Sequence, residues 1–184
     1  MKWLAKLLIL LLVAAVALGA YSFTLPATCV VEYSTVLQAS PERIITYLNN
    51  PTQWENWSVW SKRNDPDIVH MYGGPLAGAG ARHSWISDKC GSGQRVFTES
   101  NQPFVLTFEQ TAAGETDTTA GTILLEKVPE GTRLVWRQTT SFDDNKLQRL
   151  KRAWRKYKTG KEVEQGLSGL QALLGQTQKK SASR

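Results

Sequence analysis

The sequence predicts an α+β domain in which a curved antiparallel sheet of about seven strands wraps a long C-terminal helix. Three observations carry this. Short segments rich in β-branched and aromatic residues alternate apolar and polar side chains at period two. Two short helical patterns follow the first of these segments, and the last third of the chain turns to helical spacing.

At 184 residues, 41% hydrophobic and 21% charged, the chain fits one ordinary domain with short appendages. The expected division is an N-terminal segment 1–25, a folded body 26–175 and a basic disordered tail 176–184.

Leu7 to Leu25 carries no charge, close to the roughly 20 residues a helix needs to cross a bilayer. Lys2 and Lys6 precede it and no Lys or Arg follows until Arg43. The positive-inside rule then places the N-terminus in the cytoplasm and the domain outside, in the periplasm if the cell is bacterial. A cleaved signal peptide is the competing reading, with Ala17-Leu18-Gly19 as its cleavage site. The single-pass anchor is preferred because the apolar run continues through Tyr21 and Phe23, placed where an interfacial aromatic belt sits.

Cys29 to Gln38 reads as a strand, with Val31, Tyr33, Thr35 and Leu37 on one face. Ser40-Pro41-Glu42 starts a helix with Ser40 as N-cap and Ile44, Ile45, Tyr47 and Leu48 as its buried stripe. Asn50-Pro51 ends it. Thr52 and Glu55 form a capping box for a second short helix bearing Trp54 and Trp57.

Six further strands follow: His70 to Tyr72, Ala81 to Ser87, Gln94 to Ser100, Phe104 to Gln110, Gly121 to Val128 and Thr132 to Thr139. Turn residues bound each one, and Glu130-Gly131 makes a tight hairpin. Phe104, Leu106 and Phe108 share one face, as do Leu134, Trp136 and Gln138. Gly73-Gly74 and Gly78-Ala79-Gly80 lack a complete phosphate-binding fingerprint and read as turn residues. From Asn145 to Leu174 the chain is helical, with a break expected at Gly160, where the apolar stripe changes phase.

Charge is unevenly distributed. Residues 26–145 hold nine Lys or Arg against fourteen Asp or Glu, whereas residues 146–184 hold eleven against two. Between Lys146 and Lys161 half the side chains are basic and none is acidic, and Leu147, Leu150, Trp154 and Tyr157 fall on one helical stripe. That is the composition of a membrane-surface helix, with Arg149, Arg152, Arg155 and Lys156 toward the anionic surface. A solvated helix whose stripe packs on the sheet is the alternative. Nucleic acid is not an expected partner of a domain outside the cytoplasm.

The inventory for catalysis is thin. His70 and His83 are the only histidines, and no Cys/His cluster has metal-ligand spacing, so no metal, cofactor or catalytic residue is assigned. His83 and Ser84, adjacent on a strand, point to opposite faces. His70 with Glu99, or Glu99 with Arg137, would make acid–base pairs only if a pocket brought them together. Cys29 and Cys90 are read as free thiols in preference to a disulfide.

Several segments resemble one family: "QASPERIITYLNNPTQWENWSVW", "YGGPLAGAGARHSW", "EGTRLVW" and "EQGLSGLQALL". They are similar to the START-like helix-grip superfamily (SRPBCC), specifically its membrane-anchored polyketide cyclase/dehydrase type, over roughly Val30 to Leu174. The resemblance implies a cavity between sheet and C-terminal helix for a lipid, sterol-like or polyketide-like molecule. Trp60, Tyr72, Trp85, Phe108, Trp136 and Leu167 are the candidate lining residues, a composition usual for small-molecule pockets. Two functions follow. One is a membrane-anchored carrier or sensor of a hydrophobic small molecule or lipid; the other is a cyclase/dehydrase-like or hydrolase-like enzyme using the same cavity.

Overall fold

The computed structural model describes residues 2–24, 28–142 and 152–182. An N-terminal helix α1 (Lys2–Thr24) precedes β1 (Thr28–Leu37), a short helix α2 (Pro41–Leu48) and a 3-10 turn (Pro51–Asn56). Six strands follow: β2 (Val69–Gly73), β3 (Arg82–Ile86), β4 (Gly93–Asn101), β5 (Val105–Ala112), β6 (Thr118–Val128) and β7 (Gly131–Ser141). The chain closes with α3 (Arg152–Ala182).

All seven strands form one antiparallel sheet in the order β1-β7-β6-β5-β4-β3-β2. Neighbours in sequence pair through hairpins, and only β1 is displaced, lying antiparallel to β7 with Tyr33 opposite Trp136. The α+β class and the strand count match expectation.

α3 lies across the inner face of the sheet. Val163, Leu167, Leu170 and Leu174 meet Leu106, Phe108, Ile123, Leu125, Leu134 and Trp136, while α2 and the 3-10 turn contribute Ile44, Ile45, Leu48, Trp54 and Trp57. The three clusters of buried apolar residues draw only on positions between Cys29 and Leu174. Among the described residues, the core therefore takes nothing from α1.

The described large side chains of α1, from Trp3 to Tyr21, are exposed. The side chains of Ala5 and Ala15 lie outside the described residues. Among the described residues, no helix is long and apolar enough to cross a membrane.

Several local expectations are corrected. α3 runs unbroken through Gly160 and on to Ala182. Glycine is needed there for proximity: a Cβ at Gly160 would lie 3.1 Å from the Tyr33 hydroxyl, one at Gly166 3.1 Å from the Trp136 ring, and one at Gly169 2.0 Å from the Trp57 carbonyl oxygen. The Thr52–Glu55 capping box does not form. Asn50 is the cap instead, its Oδ1 accepting from the Thr52 N–H at 3.0 Å and hydroxyl at 2.8 Å. Ser40 holds the extended N-cap conformation before Pro41 without a side-chain capping bond. Phe104 precedes β5 and is exposed, whereas Leu106 and Phe108 are buried. The expected helical stretch 145–151, with Leu147, Leu150 and Arg149, lies outside the described residues.

Candidate functional site

Alternation along β3, β4 and β5 brings an unusual set of polar side chains into the layer beneath α3. On β4, Arg95 shares the inward face with Phe97, and only 1% of it is exposed. Its guanidinium carbon lies 3.8 Å from the ring centre of Trp54, 4.7 Å from those of Trp60 and Phe108, and 5.5 Å from that of Trp85. Such cation–π stacking offsets part of the cost of removing the charge from water. Gln110, opposite on β5, accepts from Arg95 Nε at 3.1 Å and from Nη2.

Nη1 is buried and has no hydrogen-bond partner. Among the described residues no carboxylate lies within ion-pairing distance of Arg95. Burial pulls its pKa down to about 9, against an opposing effect of Glu162, so it stays cationic at neutral pH. Burial likewise pushes the Glu162 carboxyl upward, toward its neutral form, although Lys158, Arg95 and Arg155 oppose the shift. The indole Nε1 of Trp136 and the amide Nε2 of Gln138 are two more buried donors without an acceptor.

A groove of about 270 Å³ opens this layer to the surface. Its walls are Gln110, Ala112, Glu115, Asp117 and Thr119 from β5 and β6 with the turn between them, and Trp154, Arg155, Lys158, Thr159 and Glu162 from α3. Arg155 ties the two walls together, its Nη2 lying 2.6 Å from Glu115 Oε2 and 3.4 Å from Asp117 Oδ2. Gln110 and Glu162 are at once groove residues and neighbours of Arg95.

On the other side of Arg95, β2 and β3 hold a chain of titratable groups. Glu55 Oε2 is 3.8 Å from His70 Nε2, and His70 Nδ1 is 2.9 Å from His83 Nε2. His83 Nδ1 is buried without a partner. Burial first, then the Arg95 charge, lowers the His83 pKa to about 3, so the imidazole is neutral at ordinary pH. Tyr72 stacks on His83 at 5.0 Å, and burial, helped by Glu55, pushes its phenol up to about 12.

The six expected lining residues divide. Trp60 and Trp85 pack against each other with tilted rings, centroids 4.7 Å apart, in a side cluster and border Arg95. Phe108, Trp136 and Leu167 are packed in the main core. Tyr72 stays 41% exposed over His83. Of the four basic residues expected to face a membrane, Arg155 turns to Glu115 and Asp117, and Lys156 is exposed. Arg149 and the side chain of Arg152 lie outside the described residues.

His70 pairs with His83 and Glu55, not with Glu99. Arg137 lies 3.9 Å from Glu32 in an exposed cross-strand pair and does not meet Glu99. Gly74, Gly78 and Gly80 take positive φ as turn residues. Cys29 and Cys90 are free thiols. Among the described residues, no group of three or more His, Cys, Asp or Glu is placed to hold a metal ion.

Arg95, Gln110 and Glu162 escaped the sequence reading. The available signal was parity: Arg95 stands two residues before Phe97 on one strand.

Residues 28–175 match the family model described as polyketide cyclase/dehydrase and lipid transport. No curated protein matches the chain. Among solved structures, a Thermus thermophilus protein aligns with TM-score 0.61 at 18% identity, covering 81% of this chain and 99% of its own. An uncharacterized Rhizobium leguminosarum protein aligns with TM-score 0.58 at 17% identity over 81% and 95%. A Mycobacterium smegmatis protein aligns with TM-score 0.57 at 18% identity over 79% and 90%. At these identities the likeness concerns the fold alone.

Proposed function

This chain belongs to the polyketide cyclase/dehydrase and lipid transport family, and we propose that it is a membrane-anchored carrier or sensor that binds a hydrophobic small molecule or lipid between the sheet and α3. The observation that carries the reading is the groove between β5–β6 and the first half of α3, which reaches two neighbours of the buried Arg95. Ala112 and Trp154 give this groove its apolar surface, and the polar and charged side chains around them supply the groups that orient a ligand in a concave small-molecule site.

The anchor in this reading is the uncharged run Leu7 to Leu25 behind Lys2 and Lys6, with the domain on the extracytoplasmic side. Exposed apolar side chains along α1, from Leu7 to Leu18, are consistent with a lipid surrounding. Trp154 and Tyr157, both exposed on α3 beside Lys156, would bring the groove mouth toward the bilayer.

One observation favours the second reading, a cyclase- or hydrolase-like enzyme using the same cavity. The Glu55–His70–His83 chain ends on a buried, unpartnered ring nitrogen beside Arg95. The two imidazoles orient each other as a base and its positioning group do, although burial and the Arg95 charge oppose proton uptake on His83.

A thermal-shift panel on residues 26–184 tests the binding reading. A ligand present at a hundredfold excess over its Kd stabilises the folded state by about 2.7 kcal/mol, which raises Tm measurably. Fatty acids, isoprenoids and polycyclic phenols should include compounds that do so. A panel that leaves Tm unchanged throughout counts against the reading.

A further inference from the structure

Arg95 is an incompletely satisfied cation. A guanidinium carries five N–H donors. Gln110 Oε1 takes one from Nε and one from Nη2, which leaves the outer hydrogen of Nη2 and both hydrogens of Nη1 without an acceptor. Four aromatic rings surround the group and supply no acceptor oxygen. Glu162, the carboxyl facing it from α3, stays beyond ion-pairing distance, and burial favours its neutral form. A buried donor left open is costly, and more so when it is charged. The open edge, Nη1 beside Nη2, is the side of the fork that receives a planar carboxylate through two parallel bonds.

We infer that the site takes an anionic amphiphile, its carboxylate received end-on by Arg95 beneath α3 and its apolar tail leaving through the groove along Ala112 and Trp154. This inference rests on the reading of the groove as a ligand site. The head enters between Gln110 and Glu162, the two side chains shared by the groove and the surroundings of Arg95. A groove of about 270 Å³ suits a tail of medium length, since pockets for drug-sized ligands run from about 300 to 1,000 Å³. Trp136 Nε1 and Gln138 Nε2, open donors on β7, two strands along from Phe108, extend the preference for acceptor oxygens into the same layer.

The test is a titration of residues 26–184 followed by tryptophan fluorescence, which reports on Trp54, Trp60 and Trp85 around Arg95. The probes are decanoate, decyl phosphate, decanol and methyl decanoate, each below its micelle concentration, on the unaltered domain, Arg95→Gln and Arg95→Lys. Decanoate should bind at least about tenfold more tightly than decanol or its ester, the ratio that one charge-assisted hydrogen bond supplies. Arg95→Gln should bring that ratio to within about twofold while decanol binding persists, and Arg95→Lys should recover part of it.

Equal binding of decanoate and decanol by the unaltered domain overturns the carboxylate assignment and leaves the ligand site standing. Preference for decyl phosphate over decanoate overturns it in favour of a phosphate head. Failure of all four probes overturns both. The unaltered domain alone decides whether a carboxylate is preferred, and a decanoate preference that survives in Arg95→Gln, or that is undiminished in Arg95→Lys should Arg95→Gln not fold, overturns the assignment to Arg95 in favour of Arg155 or Lys158 of the groove.

Discussion

Gly169 of α3 packs directly on the backbone of Trp57, so closely that a Cβ would lie 2.0 Å from the Trp57 carbonyl oxygen. The helix is seated on the sheet and on the segment after the 3-10 turn at this point, and a backbone atom cannot rotate aside as a side chain would. Gly169→Ala should therefore destabilise the domain by about 1 to 3 kcal/mol, the usual range for overpacking. Gly175→Ala, with nothing within 4 Å of the added carbon, should instead stabilise by up to about 1 kcal/mol through helix propensity. Urea denaturation of the two variants checks both signs.

Trp136 meets Trp54 edge to face at 5.6 Å, Trp57 at 5.9 Å and Phe108 at 6.4 Å. Trp136→Ala should cost about 3 to 5 kcal/mol, since the surrounding rings are themselves buried in the main core and cannot readily close the space. Trp136→Phe should restore most of that stability. A Trp136→Ala variant as stable as the parent would show that the ring lines open space and does not belong to the packed core.

His83 is held neutral in the folded protein and has its ordinary pKa of 6.5 when unfolded. Between pH 6.5 and 3 the unfolded chain binds the proton and the folded domain does not, so stability falls as pH falls through this window. The loss approaches about 1.4 kcal/mol per pH unit from this residue. His70, also lowered by burial, acts with the same sign. His83→Phe should flatten the dependence between pH 6.5 and 5, where few carboxylates titrate, as read from denaturation midpoints at a series of pH values.

The basic segment 146–161 is tested with liposomes. Domain 26–184 should sediment with vesicles containing anionic lipid at low salt and be released at high salt, since each engaged Lys or Arg contributes about 1 kcal/mol. Arg149→Gln, Arg152→Gln and Lys156→Gln combined should weaken this binding at least about tenfold. Arg155→Gln should not, because Arg155 is engaged with Glu115 and Asp117. Binding indifferent to salt and to lipid charge would contradict the membrane-surface role.

Most strands are legible because they present one face to the core and one to solvent; β2, with no buried residue, is the exception. Leu134, Trp136 and Gln138 alternate with Arg133, Val135 and Arg137 on β7, and all three of the first set are buried. α2 was equally plain from Pro41, Ile44, Ile45 and Leu48. What failed to show was set by partners distant in sequence. Gly160 looked like a helix break, yet it is explained by Tyr33 on β1. Thr52 looked like a cap until the fold gave Asn50 that position. Arg95 is the clearest case. A charged residue on a strand reads as solvent-facing, and only the convergence of Trp54, Trp60, Trp85 and Phe108 makes its burial tolerable.

The central claim is that the layer between sheet and α3 holds a lipophilic molecule. Native mass spectrometry of residues 26–184, freshly purified without detergent and followed by organic extraction, tests it most directly. The account predicts an adduct of defined mass that is recovered in the extract and lost on delipidation. It also predicts that delipidated domain takes up decanoate with the Arg95-dependent preference described above. A ligand-free mass together with no uptake of any lipophilic probe would contradict it.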